Sequence, residues 1–369
     1  MIGGGIDSFV GGIHRRAIAL DGRASLVAGA LSSTPEKSLQ SAKELGLDPD
    51  RSYATYQELF EREVLRDDRV DFVSIVTPND THYPIAKMAL EQGFHVVLDK
   101  PATHTAAQAQ ELETLATEKE LVCCVTYNYT GYPMIRQARA MIKDSVLGNI
   151  RKVFIEYHQG WLATDLASTG HKQASWRDDP ARAGIGGALG DIGTHAENLS
   201  SFVTGLTMES VFANLHSFVS NRILDDDVSV MINYEGGAHG VLTASQVCVG
   251  EDNNLSIRVY GEKGGLRWNQ ESPDNLYVTL LDGNTIVYSR GGSNLHIDAV
   301  NSTTAPAGHP EGYLEAFSNI YRGVFDTIQG NNDSCLAQLM PTISAGVQGM
   351  KFVQKCVESA RTKTQISWV

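Results

Sequence analysis

The sequence has no run approaching the ~20 consecutive apolar residues that a membrane-spanning helix needs. Its first residues lack the basic and then apolar pattern of a secretory signal. Cysteine is scarce: the five residues Cys123, Cys124, Cys248, Cys335 and Cys356 are odd in number and never fall in the C-x-x-C spacing of zinc or redox sites. Together these absences make a reduced, cytoplasmic protein the expectation. Basic residues are in deficit, with 30 Lys and Arg against 43 Asp and Glu for a formal charge of -13. The cations are scattered and form no stripe that could follow phosphates, so nucleic acid is excluded as the expected partner. Internal repeats and low-complexity linkers are missing as well.

What is present describes a globular chain of 369 residues, 42% hydrophobic and 20% charged, too long for one ordinary core and therefore expected to form two domains. As far as Thr126, short apolar runs alternate with amphipathic stretches, the mark of βαβ units around a parallel sheet. Strands are expected over 26–31, 72–76, 94–98 and 121–126. Helices are expected over 35–45 behind a Thr34 cap, after a Thr55/Glu58 capping box, and over 84–92 and 105–120. Beyond a helix over 133–143 strands dominate, at 151–157, 210–216, 228–234, 238–245, 256–260 and 277–281. Further helices are expected near 193–203, 312–328 and 341–359.

The segment Gly3-Gly4-Gly5-Ile6-Asp7-Ser8-Phe9-Val10-Gly11-Gly12 opens a helix that continues through His14 and Ala17, so backbone N–H groups and the positive helix end would face a pyrophosphate. Read as G-x-G-x-x-G, it places Gly3 and Gly5 in the turn and Ser8, followed by Phe9, in the third glycine's position. Only Met1 and Ile2 precede it, where a dinucleotide fold has a strand of about five residues. The upstream part of the first strand is therefore expected to be missing from this numbering. The carboxylate that usually ends the second strand and binds the adenosine ribose is replaced by Ser32-Ser33-Thr34, with no acid before Glu36. Ser32, Ser33 and Lys37 could take a 2′-phosphate there, which leaves both NAD and NADP open. Asn79 and His82 follow a strand at its carboxyl end, where open α/β sheets bind ligands. Tyr127 and Asn128 follow the last strand of the parallel sheet and are candidates for nicotinamide or substrate. The fold expected is α/β: a Rossmann parallel sheet over 1–127, then an α/β domain over 128–369 with a large, mostly antiparallel open sheet.

Three separated motifs agree with one another: Thr77-Pro78-Asn79-Asp80-Thr81-His82, then Asp99-Lys100-Pro101, then Gly186-Gly187-Ala188-Leu189-Gly190-Asp191-Ile192-Gly193-Thr194-His195. With Trp176-Arg177 and Gly308-His309-Pro310-Glu311-Gly312-Tyr313, they resemble the glucose–fructose oxidoreductase and inositol dehydrogenase (Gfo/Idh/MocA) family over nearly the whole chain. The resemblance implies a lysine beside the nicotinamide, here Lys100, with Asp99 standing where the family has glutamate. It also implies cofactor contacts from Thr77 and Pro78, and a homodimer or homotetramer built sheet to sheet.

The chemistry points the same way. Oxidising a secondary alcohol needs a base for the hydroxyl proton and a cation near the developing alkoxide. His195 suits the base, Lys100 the cation, and Asp191, four residues before His195, would share its helix face and orient the ring or hold a neighbouring hydroxyl. Tyr157, Trp161 and Trp176 offer aromatic surface for a sugar ring. Structural roles compete with each assignment: a solvated loop for Lys100, a helix cap for Asp191, a satisfied core position for His195. His158, His171, Asp191 and His195 match no zinc spacing, so no metal is expected. The function expected is NAD(P)-dependent hydride transfer to or from a sugar, inositol or related polyol. NAD-dependent glycoside hydrolysis and a catalytically silent dinucleotide sensor are the alternatives.

Overall fold

The computed structural model describes residues 1–369, without the side chain of Lys172. Its chain clusters into two compact units, Met1–Asn128 with Leu314–Val347, and Tyr129–Tyr313 with Gln348–Val369.

The first unit is a Rossmann fold around four parallel strands in the order β1 (Ile2–Gly3), β2 (Phe72–Val76), β3 (His95–Leu98) and β4 (Cys123–Val125). Short apolar runs make these strands because both faces are covered: Val73, Ile75, Val96, Leu98, Cys123 and Val125 all lie in one buried cluster. Helices Phe9–Ala19, His82–Glu91 and Ala106–Glu118 alternate with the strands. Helix Tyr56–Glu63 starts on the Thr55 side chain, which accepts from the Glu58 N–H at 3.2 Å, while the Glu58 carboxylate accepts from the Ala54 N–H at 2.9 Å.

The strand expected over 26–31 is corrected to two isolated bridges, Ile2↔Ala30 and Gly29↔Ser52. Its neighbour β1 is only two residues long, so a ladder has almost nothing to run along. The segment still occupies a strand's place, since Ala30 exchanges backbone bonds with Met1 and Gly3, and Gly29 with Arg51 and Tyr53.

The second unit is built on a nine-stranded sheet. Its strands are β5 (Ile150–His158), β6 (Met208–His216), β7 (Asp227–Tyr234), β8 (His239–Ser245), β9 (Asn254–Gly261), β10 (Gly264–Asn269), β11 (Asn275–Leu280), β12 (Thr285–Ser289) and β13 (Ile366–Ser367). Their order is β12-β11-β10-β9-β5-β8-β7-β6-β13, antiparallel at every step except the parallel pair β5 and β8. Alternation shows one covered face: along β7, Val228, Val230, Ile232 and Tyr234 are buried while Ser229 and Met231 are exposed. Helix Thr194–Thr204 lies against β5, β8 and β9. Strands β10, β12 and β13 were not expected. In β10 only Leu266-Arg267-Trp268 alternates after Gly264-Gly265, too short a run to register, β12 is almost wholly exposed and lacks alternation, and β13 has two residues.

Candidate active site

In the first unit the glycine loop is built for close approach. Gly3 and Gly4 have φ of +72° and +68°, a region that favours glycine. A Cβ on Gly3 would overlap the Val76 carbonyl and the Thr77 methyl, and one on Gly5 would come within 2.8 Å of the Leu31 carbonyl. Ser8, read in the third glycine's position, is the cap of helix Phe9–Ala19: its Oγ accepts from the Gly11 N–H at 3.0 Å. The tight helix-to-loop contact falls to Gly11, whose Cβ would overlap the Gly4 backbone. Arg15 fixes the loop from the other side by donating to the Gly4 carbonyl. Phe9 stands 72% exposed at the start of the helix.

Ser32 Oγ accepts from the Thr34 N–H at 3.2 Å, and Ser33 is exposed. Lys37 does not stand alone at this corner, because its Nζ pairs with Asp7 of the glycine loop at 2.5 Å. Thr77, Pro78 and Asn79 leave the end of β2, and the Thr77 Oγ1 is buried with no hydrogen-bond partner. Asn79 is itself buried, in the turn Asn79–Thr81.

His82, expected to contact a cofactor, is placed between the Thr77 and Pro101 carbonyls. Its ring is fully buried, with Nδ1 2.9 Å from the Pro101 carbonyl and Nε2 2.9 Å from the Thr77 carbonyl. Burial lowers its pKa against the raising pull of Asp99 and the carbonyls, so the neutral ring donates to one carbonyl at a time and braces the two loops.

Asp99 accepts from the Lys100 N–H at 2.8 Å and from Thr126 Oγ1 at 3.0 Å. Its side chain lies 3.9 Å from His14 Nε2, and the buried His14 is bonded at Nδ1 to Tyr321 at 2.6 Å. Burial pushes the Asp99 carboxyl up, but His14, Lys100 and His82 together hold it well below the usual carboxylate range. Asp99 thus acts as a permanent anion that fixes the backbone carrying Lys100. Lys100 is half-buried and precedes a cis proline. Tyr127 belongs to the hydrophobic cluster, and the buried Asn128 has an Nδ2 without a hydrogen-bond partner.

These residues fit a dinucleotide. The turn is so close that only glycine is accommodated, a capped helix begins directly after it, and two buried polar atoms, Thr77 Oγ1 and Asn128 Nδ2, are left for a ligand.

In the second unit Asp191 sits in a π-helical turn, Leu189–Gly193, that runs straight into helix Thr194–Thr204. The turn is pinned by Asp225, whose carboxylate accepts from the Gly187 and Leu189 N–H groups at 2.7 Å each. Burial pushes Asp225 up to about 6 in spite of those bonds. Asp191 does not cap the helix: its Oδ2 accepts from Arg177 Nε at 3.1 Å and from Gln246 Nε2 at 2.9 Å. His195 is 5% exposed and meets the rings of Tyr129 and Tyr157 edge-on, at centroid distances of 4.8 and 6.2 Å.

Tyr157, expected as substrate surface, is buried and works within a network. Its hydroxyl lies 2.5 Å from that of Tyr129 and donates to Asn253 Oδ1 at 2.7 Å, while Asn253 Nδ2 donates to Tyr129 at 3.1 Å. Burial raises both phenols above their ordinary values, so they stay protonated. Trp161 and Trp176 each present a ring to the Arg177 guanidinium, at 5.8 and 4.3 Å. His171 caps a helix through the Ala174 N–H at 3.4 Å, and among the described residues no group of three or more His, Cys, Asp or Glu could hold a metal ion. Arg177, Gln246, Asn253 and Tyr129 had no assignment from the sequence. Only the adjacency of Arg177 to Trp176 in a family-like motif hinted at any of them.

A family model for an oxidoreductase family with an NAD-binding Rossmann fold matches residues 1–127, and one for the GFO/IDH/MocA C-terminal domain matches residues 135–267. The chain is 36% identical over 371 residues to the uncharacterized oxidoreductase YfiI of Bacillus subtilis (strain 168), spanning 98% of this chain and 93% of that one. It is 28% identical over 310 residues to levoglucosan dehydrogenase of Pseudarthrobacter phenanthrenivorans, spanning 76% and 75%. The crystal structure of an inositol dehydrogenase homolog from Azotobacter vinelandii, complexed with NADH and myo-inositol, matches with a TM-score of 0.92 at 37% identity over 100% of this chain and 96% of that one.

Proposed function

Since the chain belongs to the GFO/IDH/MocA family of oxidoreductases, we propose that it is an NAD-dependent dehydrogenase acting on a secondary hydroxyl of a cyclic polyol or sugar. The observation that carries the reading is Asp191, held by two donors on one oxygen, one turn before a buried histidine. Bound at the glycine loop, a nicotinamide dinucleotide supplies the hydride acceptor. His195 takes the hydroxyl proton, Asp191 orients its ring or holds a neighbouring hydroxyl, and the Lys100 ammonium stabilises negative charge on the substrate oxygen. Gly3, Gly5, Ser8 and Phe9 hold the pyrophosphate end, while Thr77, Pro78, Asn79 and Asn128 line the path toward the nicotinamide. In this division of labour the stretch Met1–Asn128 binds the dinucleotide and Tyr129–Tyr313 binds substrate. Myo-inositol in the Azotobacter structure and the naming of the Pseudarthrobacter relative as a levoglucosan dehydrogenase support a neutral ring bearing several hydroxyls.

NAD is preferred over NADP in this reading, because Lys37 is already paired with Asp7 and a 2′-phosphate would have to compete with that carboxylate. The open face of the nine-stranded sheet is proposed to pair with a second copy. One register row across it carries Phe212, Met231, Val241 and Phe154, and Met231 is 58% exposed. The cytoplasm is the proposed setting, in keeping with five free cysteines.

The test is a panel of inositols, aldoses and sugar acids with NAD and with NADP, followed by the absorbance of the reduced nicotinamide. Turnover of a cyclic polyol with NAD is expected. Binding of the dinucleotide with no turnover on any member would overturn the reading.

A further inference from the structure

Arg177 closes the short helix Lys172–Arg177, and its guanidinium is engaged on several sides. Nε donates to Asp191 Oδ2 at 3.1 Å, and Nη1 donates to the Gln173 carbonyl at 3.1 Å and to Gln173 Oε1 at 2.8 Å. The Trp176 ring lies 4.3 Å from Cζ and the Trp161 ring 5.8 Å, both in cation–π range. The two indoles are held in turn: Trp176 Nε1 donates to Gln173 Oε1 at 3.1 Å, and Trp161 Nε1 donates to Gln159 Oε1 at 3.0 Å. Gln159 continues to Asn253 Oδ1 at 2.8 Å, the same oxygen that accepts from Tyr157.

An exposed arginine–aspartate pair contributes little, because two long side chains must be ordered in water to make it. Here the ordering is already done. The side chains of Arg177 and Asp191 are 20% and 16% exposed, and the guanidinium is seated on two rings and a glutamine before it meets the carboxylate. Gln246, directly after β8, supplies the second donor to the same Oδ2. Two donors on one oxygen, from segments 14 and 55 residues away, fix the carboxylate's rotamer more tightly than the π-helical turn alone could.

We propose that Arg177 is a positioning residue that sets the orientation of Asp191 for the reaction, with Trp161 and Trp176 as its cradle and Gln246 as the second point of attachment. The proposal rests on the assignment of Asp191 to the chemistry made above. It gives the two tryptophans a task other than stacking on a sugar: they hold the cation that holds the acid.

The test uses the full-length protein with NAD and its best polyol, comparing Arg177→Ala, Arg177→Lys and Asp191→Asn. Arg177→Ala is expected to lower kcat by about 10- to 100-fold, the loss typical of a hydrogen bond to a charged group, with NAD affinity kept within about twofold. Arg177→Lys is expected to retain part of the rate. Added methylguanidine should restore activity to Arg177→Ala several-fold while leaving the parent enzyme unchanged, a response that a role in folding alone would not give. A kcat for Arg177→Ala within about threefold of the parent would overturn the proposal, as would a loss that neither lysine nor methylguanidine relieves. If Asp191→Asn itself keeps full turnover, the assignment of Asp191 fails; if Asp191→Asn is slow and Arg177→Ala is not, only the positioning role fails.

Discussion

The ring of Tyr129 meets the imidazole of His195 edge to face, with centroids 4.8 Å apart and planes at 78°. The contact limits how the histidine can tilt, and the tyrosine is fixed in turn by Tyr157 and Asn253. Removing the ring frees the histidine, whereas removing only the hydroxyl leaves the edge contact in place. Tyr129→Ala is expected to lower kcat at least about tenfold and to cost stability on the order of 3 kcal/mol, the usual loss for a buried aromatic. Tyr129→Phe should keep most of the rate. Steady-state kinetics and thermal denaturation of the two variants check this; equal turnover in Tyr129→Ala and the parent would contradict it.

Two glycines one residue apart make opposite predictions. A Cβ on Gly11 would overlap the Gly4 backbone, whereas a Cβ on Gly12 would have nothing within 4 Å. Gly11→Ala must therefore push the phosphate loop away from the helix, weakening NAD binding by about tenfold or more. Gly12→Ala should bind NAD normally and gain up to about 1 kcal/mol of stability, since alanine is the better helix former. Calorimetric titration of NAD into both variants separates the outcomes.

The pair between Lys37 and Asp7 predicts cofactor choice. Asp7→Asn leaves the lysine without its carboxylate, so discrimination against NADP should shrink by about tenfold, the worth of one charge-assisted contact near the surface. Lys37→Ala should weaken NADP binding and leave NAD binding nearly unchanged. Dissociation constants for both dinucleotides in both variants give the ratio directly.

Glu197 is buried in helix Thr194–Thr204 with Oε1 accepting from Ser201 at 2.8 Å, and burial lifts its carboxyl from 4.5 to about 7. The folded state therefore binds a proton that the unfolded state has released between those two values. That contribution is fully present below about pH 4.5 and is lost as pH rises to about 7, amounting to about 3 kcal/mol in all. Glu197→Gln should remove this slope and raise the thermal midpoint at pH 8. An unchanged pH dependence of unfolding in the variant would contradict the assignment.

The parts of the fold legible in the sequence were those where local pattern and burial coincide. β2 is a five-residue run, apolar except for Ser74 and followed by turn residues, and β7 alternates cleanly because one of its faces is covered. β12 is exposed along nearly its whole length, so its pairing with β11 leaves no hydrophobic trace. The second strand's place at 26–31 was readable, but its ladder depends on a partner two residues long. Asp191 and His195, the proposed acid and base, lie together in a compact glycine-rich motif that the sequence displays. Arg177 and Gln246 reach Asp191 from 14 and 55 residues away, and no local period ties such positions together. Ser8 and His82 stand at motif positions that suggest a ligand, and both side chains also engage backbone groups, which no sequence pattern announces: Ser8 caps a helix and His82 braces two loops.

We propose hydride transfer from a ring carbon to nicotinamide, with Lys100 and His195 handling the charge and the proton. Its most direct test is single-turnover transfer of deuterium from a ring-deuterated cyclic polyol to NAD. Label is expected in the reduced nicotinamide, and Lys100→Met and His195→Ala should bind NAD with parental affinity while slowing the transfer at least about 100-fold. Absence of label in the nicotinamide across the substrate panel, or parental transfer rates in both variants, would contradict the account.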